Sequence, residues 1–276
     1  MIRIDNLAFS YGRKEVLRNI TMTLEPGKIY GLLGENGVGK TTLLTLLCGL
    51  KKTQAGTITV DGRTPGKREP ALLQDQYYLP DEVAPLRETA LARGRSAGKF
   101  WPRFDLQQYE AVLREFEIDP QQKMNTMSNG QLKKTYIAFA LTSGARHLYL
   151  DEPTNGLDIP SKAQFRSALM KYTAEDATIV ISTHQVRDLE NIIDPIIILD
   201  CRDVLLHATI EQIADKLYFD YGTVLNPDSL YSEQLPGGFI QVRANPDGRD
   251  SRVNIEALFN TVHKHKEFVK NLVGNE

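Results

Sequence analysis

From Gly34 to Thr41 the chain reads Gly-Glu-Asn-Gly-Val-Gly-Lys-Thr, the G-x-x-x-x-G-K-[ST] spacing of a phosphate-binding loop. The glycines let backbone N–H groups converge on phosphate oxygens, and the helix that follows adds unpaired donors and partial positive charge. Gly34, Glu35, Asn36, Gly37, Val38, Gly39, Lys40, Thr41 and Thr42 are therefore expected to wrap the phosphates of a nucleotide. Lys40 is placed to reach the β- and γ-phosphates, and the Thr41 hydroxyl to ligate Mg²⁺. A second constellation lies downstream, where His147-Leu148-Tyr149-Leu150 ends in Asp151-Glu152. A carboxylate at the C-terminal end of a strand points into the crevice beside such a loop. Asp151 is then a metal ligand, and Glu152 orients or deprotonates the attacking water.

These residues need elements to hold them. Ile2 and Ile4 alternate, as do Ile20, Met22 and Leu24, so residues 1–30 read as β with a turn at Glu25-Pro26-Gly27. Ile29–Leu33 is an apolar strand, and Thr42–Leu50 reads as a buried helix. Short strands follow at Thr57–Val60 and Tyr77–Leu79. From about 82 to 142 the period is helical. Asp105 and Gln108 resemble a capping box ahead of Leu106, Tyr109, Val112, Leu113 and Phe116, and Trp101-Pro102 breaks what precedes them. Beyond come strands at His147–Leu150, Thr178–Ser182 and Ile196–Leu199, with helices at Ser161–Tyr172 and Val186–Asn191. Strands alternating with helices indicate a mostly parallel α/β sheet. After Asp200 a Pro/Gly-rich stretch and a helix-like run, Val253–Lys270, form a small appended region.

The 276 residues carry 33 basic and 35 acidic side chains, for a net charge of −2. That balance argues against a nucleic-acid partner. Cys48 and Cys201 both sit in apolar surroundings and read as buried free thiols of a reducing compartment. No stretch approaches the ~20 apolar residues of a membrane span, and the N-terminus lacks the apolar core of a signal peptide. His263 and His265, two apart, do not share a helix face and make a poor metal pair.

Leu150-Asp151-Glu152-Pro153-Thr154-Asn155-Gly156-Leu157-Asp158 resembles the Walker B and D-loop segment of ABC-family ATPases. Further motifs fall in that family's order across residues 1–215. Tyr11, in Phe9-Ser10-Tyr11-Gly12, resembles the aromatic residue that stacks on adenine. Ile181-Ser182-Thr183-His184 resembles the loop whose histidine reaches the γ-phosphate, and Met127-Ser128-Asn129-Gly130-Gln131 stands at the signature position. The resemblance implies an α/β fold: a P-loop NTPase sheet, mostly parallel, with an N-terminal antiparallel β subdomain and an inserted α-helical subdomain; the chain beyond it, outside the resemblance, is expected to add a small C-terminal α+β extension. Its division is a cassette at 1–215, with helices at about 82–142, and an extension at 216–276. It implies Glu152, His184 and Lys40 as catalytic residues. It adds Tyr11, Ser128, Gly130 and Asp158 to the nucleotide-binding set, with ATP and Mg²⁺ as cofactors.

Two positions depart from the family pattern. The signature carries Asn129 where glycine is usual, although Asn tolerates left-handed backbone better than most residues. Tyr78-Leu79-Pro80-Asp81-Glu82 has Asp81 where glutamine is usual, and Gln74 and Gln76 are off register. The Asp81 carboxylate could still serve the metal, beside Thr41 and Asp151. Acidic residues here, with Phe100-Trp101-Pro102-Arg103-Phe104-Asp105, resemble the bacterial subgroup serving ABC-2-type permeases, often efflux systems. The expectation is an ATP-hydrolysing subunit working as a head-to-tail homodimer or paired with another ABC subunit. It would lie in the cytoplasm at the inner face of the plasma membrane, bound to a separate multi-span permease. Two alternatives stay open at this point: an ATP-binding regulatory module with little hydrolysis, and a soluble non-transport ABC ATPase.

Overall fold

In the computed structural model, which describes residues 1–200 and 202–273, alternation in the first sixty residues builds an antiparallel sheet. Strands β1 (Ile2–Tyr11) and β2 (Lys14–Leu24) pair with each other. After β3 (Ile29–Leu33) the chain passes through α1 (Lys40–Leu47) to β4 (Ala55–Val60), which returns to the far edge of β1. Ile2, Ile4, Leu7, Ile20, Met22 and Ile58 are buried on one face, so the period of two sets the register.

The central sheet follows the βαβ logic. Strands β5 (Gln76–Leu79), β6 (His147–Asp151), β7 (Thr178–Thr183), β8 (Ile196–Asp200) and β9 (Asp203–Ala208) join β3 in the order β5-β6-β7-β3-β8-β9. All neighbours are parallel except β8 and β9. The interior strands are apolar through their middles because both faces are covered, and their polar residues, His147, Asp151, Thr178, Ser182 and Thr183, stand at the strand ends. Tyr149, Ile197 and Leu199 face a core shared with α1 and the N-terminal sheet. Their strand neighbours Leu148, Leu150, Ile196 and Ile198 face a second core on the opposite side.

Between β4 and β6 come α2 (Pro70–Leu73), α3 (Ala90–Ala97), α4 (Leu106–Glu115) and α5 (Asn129–Thr142); α6 (Ile159–Tyr172) follows β6. Tyr109, Val112, Leu113 and Phe116 bury the apolar stripe of α4, and Phe104 stacks on Phe139 of α5 at 5.0 Å. Asp105 caps α4 by accepting from the N–H groups of Gln107 and Gln108. The expected reciprocal bond from Gln108 is not made, because the Asp105 N–H is taken by the carbonyl of Thr142. Complete capping boxes stand at Ser128/Gln131 and Thr209/Gln212.

Three other expectations shift. Helix α1 begins at Lys40 rather than Thr42 and stops at Leu47, where Gly49 and Leu50 donate back to Leu46 and Thr45. Val186–Asn191 is not a helix but one 3₁₀ turn, Val186–Asp188. Arg166 takes the carbonyl of Asp188, and so short a segment cannot repay helix nucleation. The C-terminal run divides into α8 (Ile255–Lys264) and α9 (Lys266–Val273). They part at His265, whose ring bonds the Leu230 carbonyl at 2.7 Å.

After α7 (Ile210–Lys216), strands β10 (Leu217–Gly222), β11 (Tyr231–Leu235) and β12 (Gly238–Ala244) form an antiparallel sheet in the order β10-β12-β11. Leu217, Phe219, Val242 and Leu258 join the same core as Leu148 and Ile196. Cys48 is buried, and burial pushes its thiol up to about 11, so it packs as an inert free thiol. Cys201 lies outside the described residues. Among the described residues no helix is long and apolar enough to cross a membrane.

Candidate functional site

The loop from Gly34 to Lys40 turns back between β3 and α1. Gly39 has φ +114°, and a Cβ there would press on Val16 and Leu17 at 3.0 Å, so only glycine fits. At Gly34 a Cβ would meet the Leu199 carbonyl at 2.5 Å. No side chain caps α1, and no acidic residue sits in its first turn. That leaves an N-terminus suited to an anion.

Lys40 is buried over this loop. Its ammonium donates to the carbonyls of Gly34 (2.7 Å) and Glu35 (3.2 Å) and lies 3.7 Å from Glu152 Oε1. Burial pulls its pKa down, against the opposing carboxylates of Glu152 and Asp151. Thr41 Oγ1 donates to Asp151 Oδ2 at 2.6 Å. The loop and the acidic strand end, far apart in sequence, therefore meet. Two hard oxygens face one point there, which is the donor chemistry Mg²⁺ takes. Among the described residues no cluster of three or more His, Cys, Asp or Glu could hold a metal alone. A cation here would complete its shell with nucleotide phosphates and water.

Glu152 follows Asp151 in the left-handed region, at φ +45°, with its N–H on Ser182. Such backbone is costly for a non-glycine residue and recurs at functional sites. The turn aims a nearly buried carboxylate at His184: Oε1 lies 2.9 Å from Nδ1, and the His184 N–H reaches Oε2 at 3.4 Å. Lys162 donates to Gln185 Oε1, so the Gln185 amide nitrogen faces His184 Nε2 at 3.4 Å.

A cleft of about 330 Å³ is lined by Tyr11, Asn36, Lys40, Thr41, Asp151 and Glu152 among others. Tyr11, 46% exposed, stands at its mouth with its hydroxyl 3.3 Å from Thr42 Oγ1. Asp81 also lines this cleft, but its carboxylate is held by Asn155 (3.1 Å) and the nearly buried Lys133 (3.5 Å). Lys133 further bonds the carbonyls of Pro80 and Asp81. Gln76, the off-register glutamine, is buried and bonds the Cys48 carbonyl.

Within one chain the signature residues are not brought to this cleft. Ser128 caps α5 and Asp158 caps α6, where the Ser161 hydroxyl and then its N–H hold the Asp158 carboxyl below the usual range. Gly130 lies against the Gly156 turn; a Cβ on it would be 3.7 Å from the Gly156 carbonyl.

Two residues the sequence reading did not assign complete the setting of Asp151. Ser182 Oγ donates to Oδ1, and the Tyr78 hydroxyl donates to Oδ2 at 3.3 Å. Burial and the Asp151 charge push the Tyr78 phenol well above its usual pKa, so it stays a donor. Strand register was the available signal: Ser182 pairs with Asp151, and Tyr78 pairs with Tyr149, one same-face step before Asp151.

The ABC transporter family model matches residues 17–155. The SkfA peptide export ATP-binding protein SkfE of Bacillus subtilis is 32% identical over 72% of this chain and 85% of its own. The linearmycin resistance ATP-binding protein LnrL of the same organism is 28% identical, covering 79% of this chain and 72% of its own. A dimeric bacterial ABC transporter cassette superposes with TM-score 0.66 at 23% identity, over 76% of this chain and 98% of that one. This last likeness is one of fold.

Proposed function

The chain belongs to the ABC transporter family, and from that premise we propose that it hydrolyses ATP to drive a separate membrane permease. The observation that carries the reading is the convergence of Lys40, Thr41, Asp151 and Glu152 on one cleft, with His184 held against Glu152.

In this reading the loop N–H groups and Lys40 bind the β- and γ-phosphates, and Tyr11 supports the base. Thr41 and Asp151 hold Mg²⁺, which when bound offsets the charge of the β- and γ-phosphate oxygens. Asp81 faces the same cleft and serves the metal through water if it leaves Asn155 and Lys133. Glu152 orients the attacking water and takes its proton, and His184 fixes that carboxylate and reaches the γ-phosphate. Ser128, Gly130 and Asp158 stand away from the cleft of their own chain. We therefore assign them to the nucleotide of a second subunit paired head to tail, so that each site is complete only in the dimer. Closure would then exclude water and bring the signature donors to the γ-phosphate.

The division into a cassette at 1–215 and an extension at 216–276 belongs to the same proposal. So does a position at the inner face of the plasma membrane. The printed names of the relatives, peptide export and linearmycin resistance, favour the ABC-2-type efflux subgroup.

A cleft of about 580 Å³ between β5 and the helical subdomain supports the permease contact. Its walls are mostly apolar, Arg68 and Arg93 are its only charged residues, and Phe100 at its edge is 70% exposed. That lining suits a short amphipathic segment of the permease bearing an apolar face and a carboxylate. Phosphate release by purified protein, alone and with its permease, tests the reading. Tight ATP binding without release in either state would overturn it.

A further inference from the structure

The two clefts share a wall. Tyr78 lies on β5 with its ring in the lining of the 580 Å³ cleft and its hydroxyl on Asp151 Oδ2, in the 330 Å³ cleft. Across the larger cleft stands Trp101, the chain's one tryptophan. Its indole donates to the Gln76 carbonyl at 3.0 Å, and its ring meets Tyr77 at 5.3 Å. Tyr77 and Tyr78 project to opposite faces of β5, so this short strand touches the helical subdomain on one side and the acidic strand end on the other.

The Asp151 carboxylate is engaged by three hydroxyls. Oδ2 accepts from Thr41 and Tyr78, and Oδ1 from Ser182. A carboxylate already engaged by donors is a weaker ligand for a cation. Thr41 leaves Oδ2 when its own oxygen turns to the metal. Tyr78 is then the remaining donor on Oδ2, while Ser182 stays on Oδ1, and the Tyr78 ring cannot move off without moving the lining of the larger cleft.

We propose that Tyr78 is a positioning residue that ties the permease-facing cleft to the metal-binding carboxylate of Asp151. A segment seated in the cleft draws the phenol off Oδ2 and readies the carboxylate for Mg²⁺. By reciprocity, metal and nucleotide entering the smaller cleft shift the wall of the larger one. This coupling rests on the proposed roles of Asp151 and of the permease-facing cleft.

The test is Tyr78→Phe, which removes one oxygen and keeps the ring. Binding of a non-hydrolysable ATP analogue is followed as Mg²⁺ is titrated, with Trp101 emission recorded in parallel. The wild-type emission is expected to shift with Mg²⁺ and analogue. In the variant the half-saturating Mg²⁺ concentration should fall about fivefold, the size expected for one hydrogen bond, and the Trp101 shift should disappear. Analogue binding in EDTA, measured on both proteins, tests the nucleotide site separately. An unchanged Mg²⁺ midpoint overturns the proposal, as does a Trp101 response that is absent in the wild type or retained in the variant.

Discussion

His184 Nδ1 and Glu152 Oε1 stand 2.9 Å apart, joining the ends of β7 and β6. The contact fixes a carboxylate that a left-handed turn has already aimed into the cleft. His184→Ala should therefore lower phosphate release on the order of 100-fold, as loss of a positioned acid–base partner does. ATP affinity should stay within a few-fold, since Lys40 and the loop are untouched. A large loss of binding with little loss of turnover would reverse the assignment.

The N-terminal ammonium of Met1 reaches Asp61 at 2.6 Å, and His147 reaches it at 2.9 Å. Burial opposes the charged form of Asp61, but these two partners outweigh it and hold the carboxyl at about 2. The folded value lies below the unfolded one. The stabilisation is thus complete above about pH 4 and fades as pH falls toward 2. Because Met1 is 37% exposed, solvent screening reduces the contribution to about 1 kcal/mol. Urea unfolding of Asp61→Asn, with Met1 untagged, should show that loss at pH 7 and a smaller one at pH 3. An equal loss at both would contradict the linkage.

The C-terminal extension shares its core with the central sheet, and Leu258 is fully buried there. Leu258→Ala should cost about 3 kcal/mol through lost burial and a residual cavity. Thermal unfolding should remain one transition at a lower midpoint. Two transitions, one of them unmoved, would show that the extension melts apart from the cassette.

The parts of the site held by local spacing were legible from residue order. Gly34 to Thr41 depends on a strand, a tight turn and a helix N-terminus in immediate succession, so the pattern carries its own geometry. Asp151-Glu152 was legible because an apolar strand ended in two carboxylates. Tyr78 and Ser182 were not assigned, because only the alignment of β5, β6 and β7 puts them on one face with Asp151. Tertiary competition hid the rest. Thr142 displaces Gln108 at the α4 cap, and the few residues at Val186–Asn191 close only a single 3₁₀ turn. Asp81 gave no sequence signal of Lys133, 52 positions away, which is nearly buried beneath it. The extension read as poorly defined because Pro and Gly crowd its turns, while its apolar strand residues find their partners only in the main core.

The most direct measurement is steady-state phosphate release by Glu152→Gln, beside ATP-dependent self-association of the same variant. The amide keeps the shape and cannot take a proton. Turnover should fall at least 100-fold, with ATP still bound and the paired form accumulating. Turnover equal to wild type, with no ATP-dependent pairing, would contradict the assignment of Glu152 as the base.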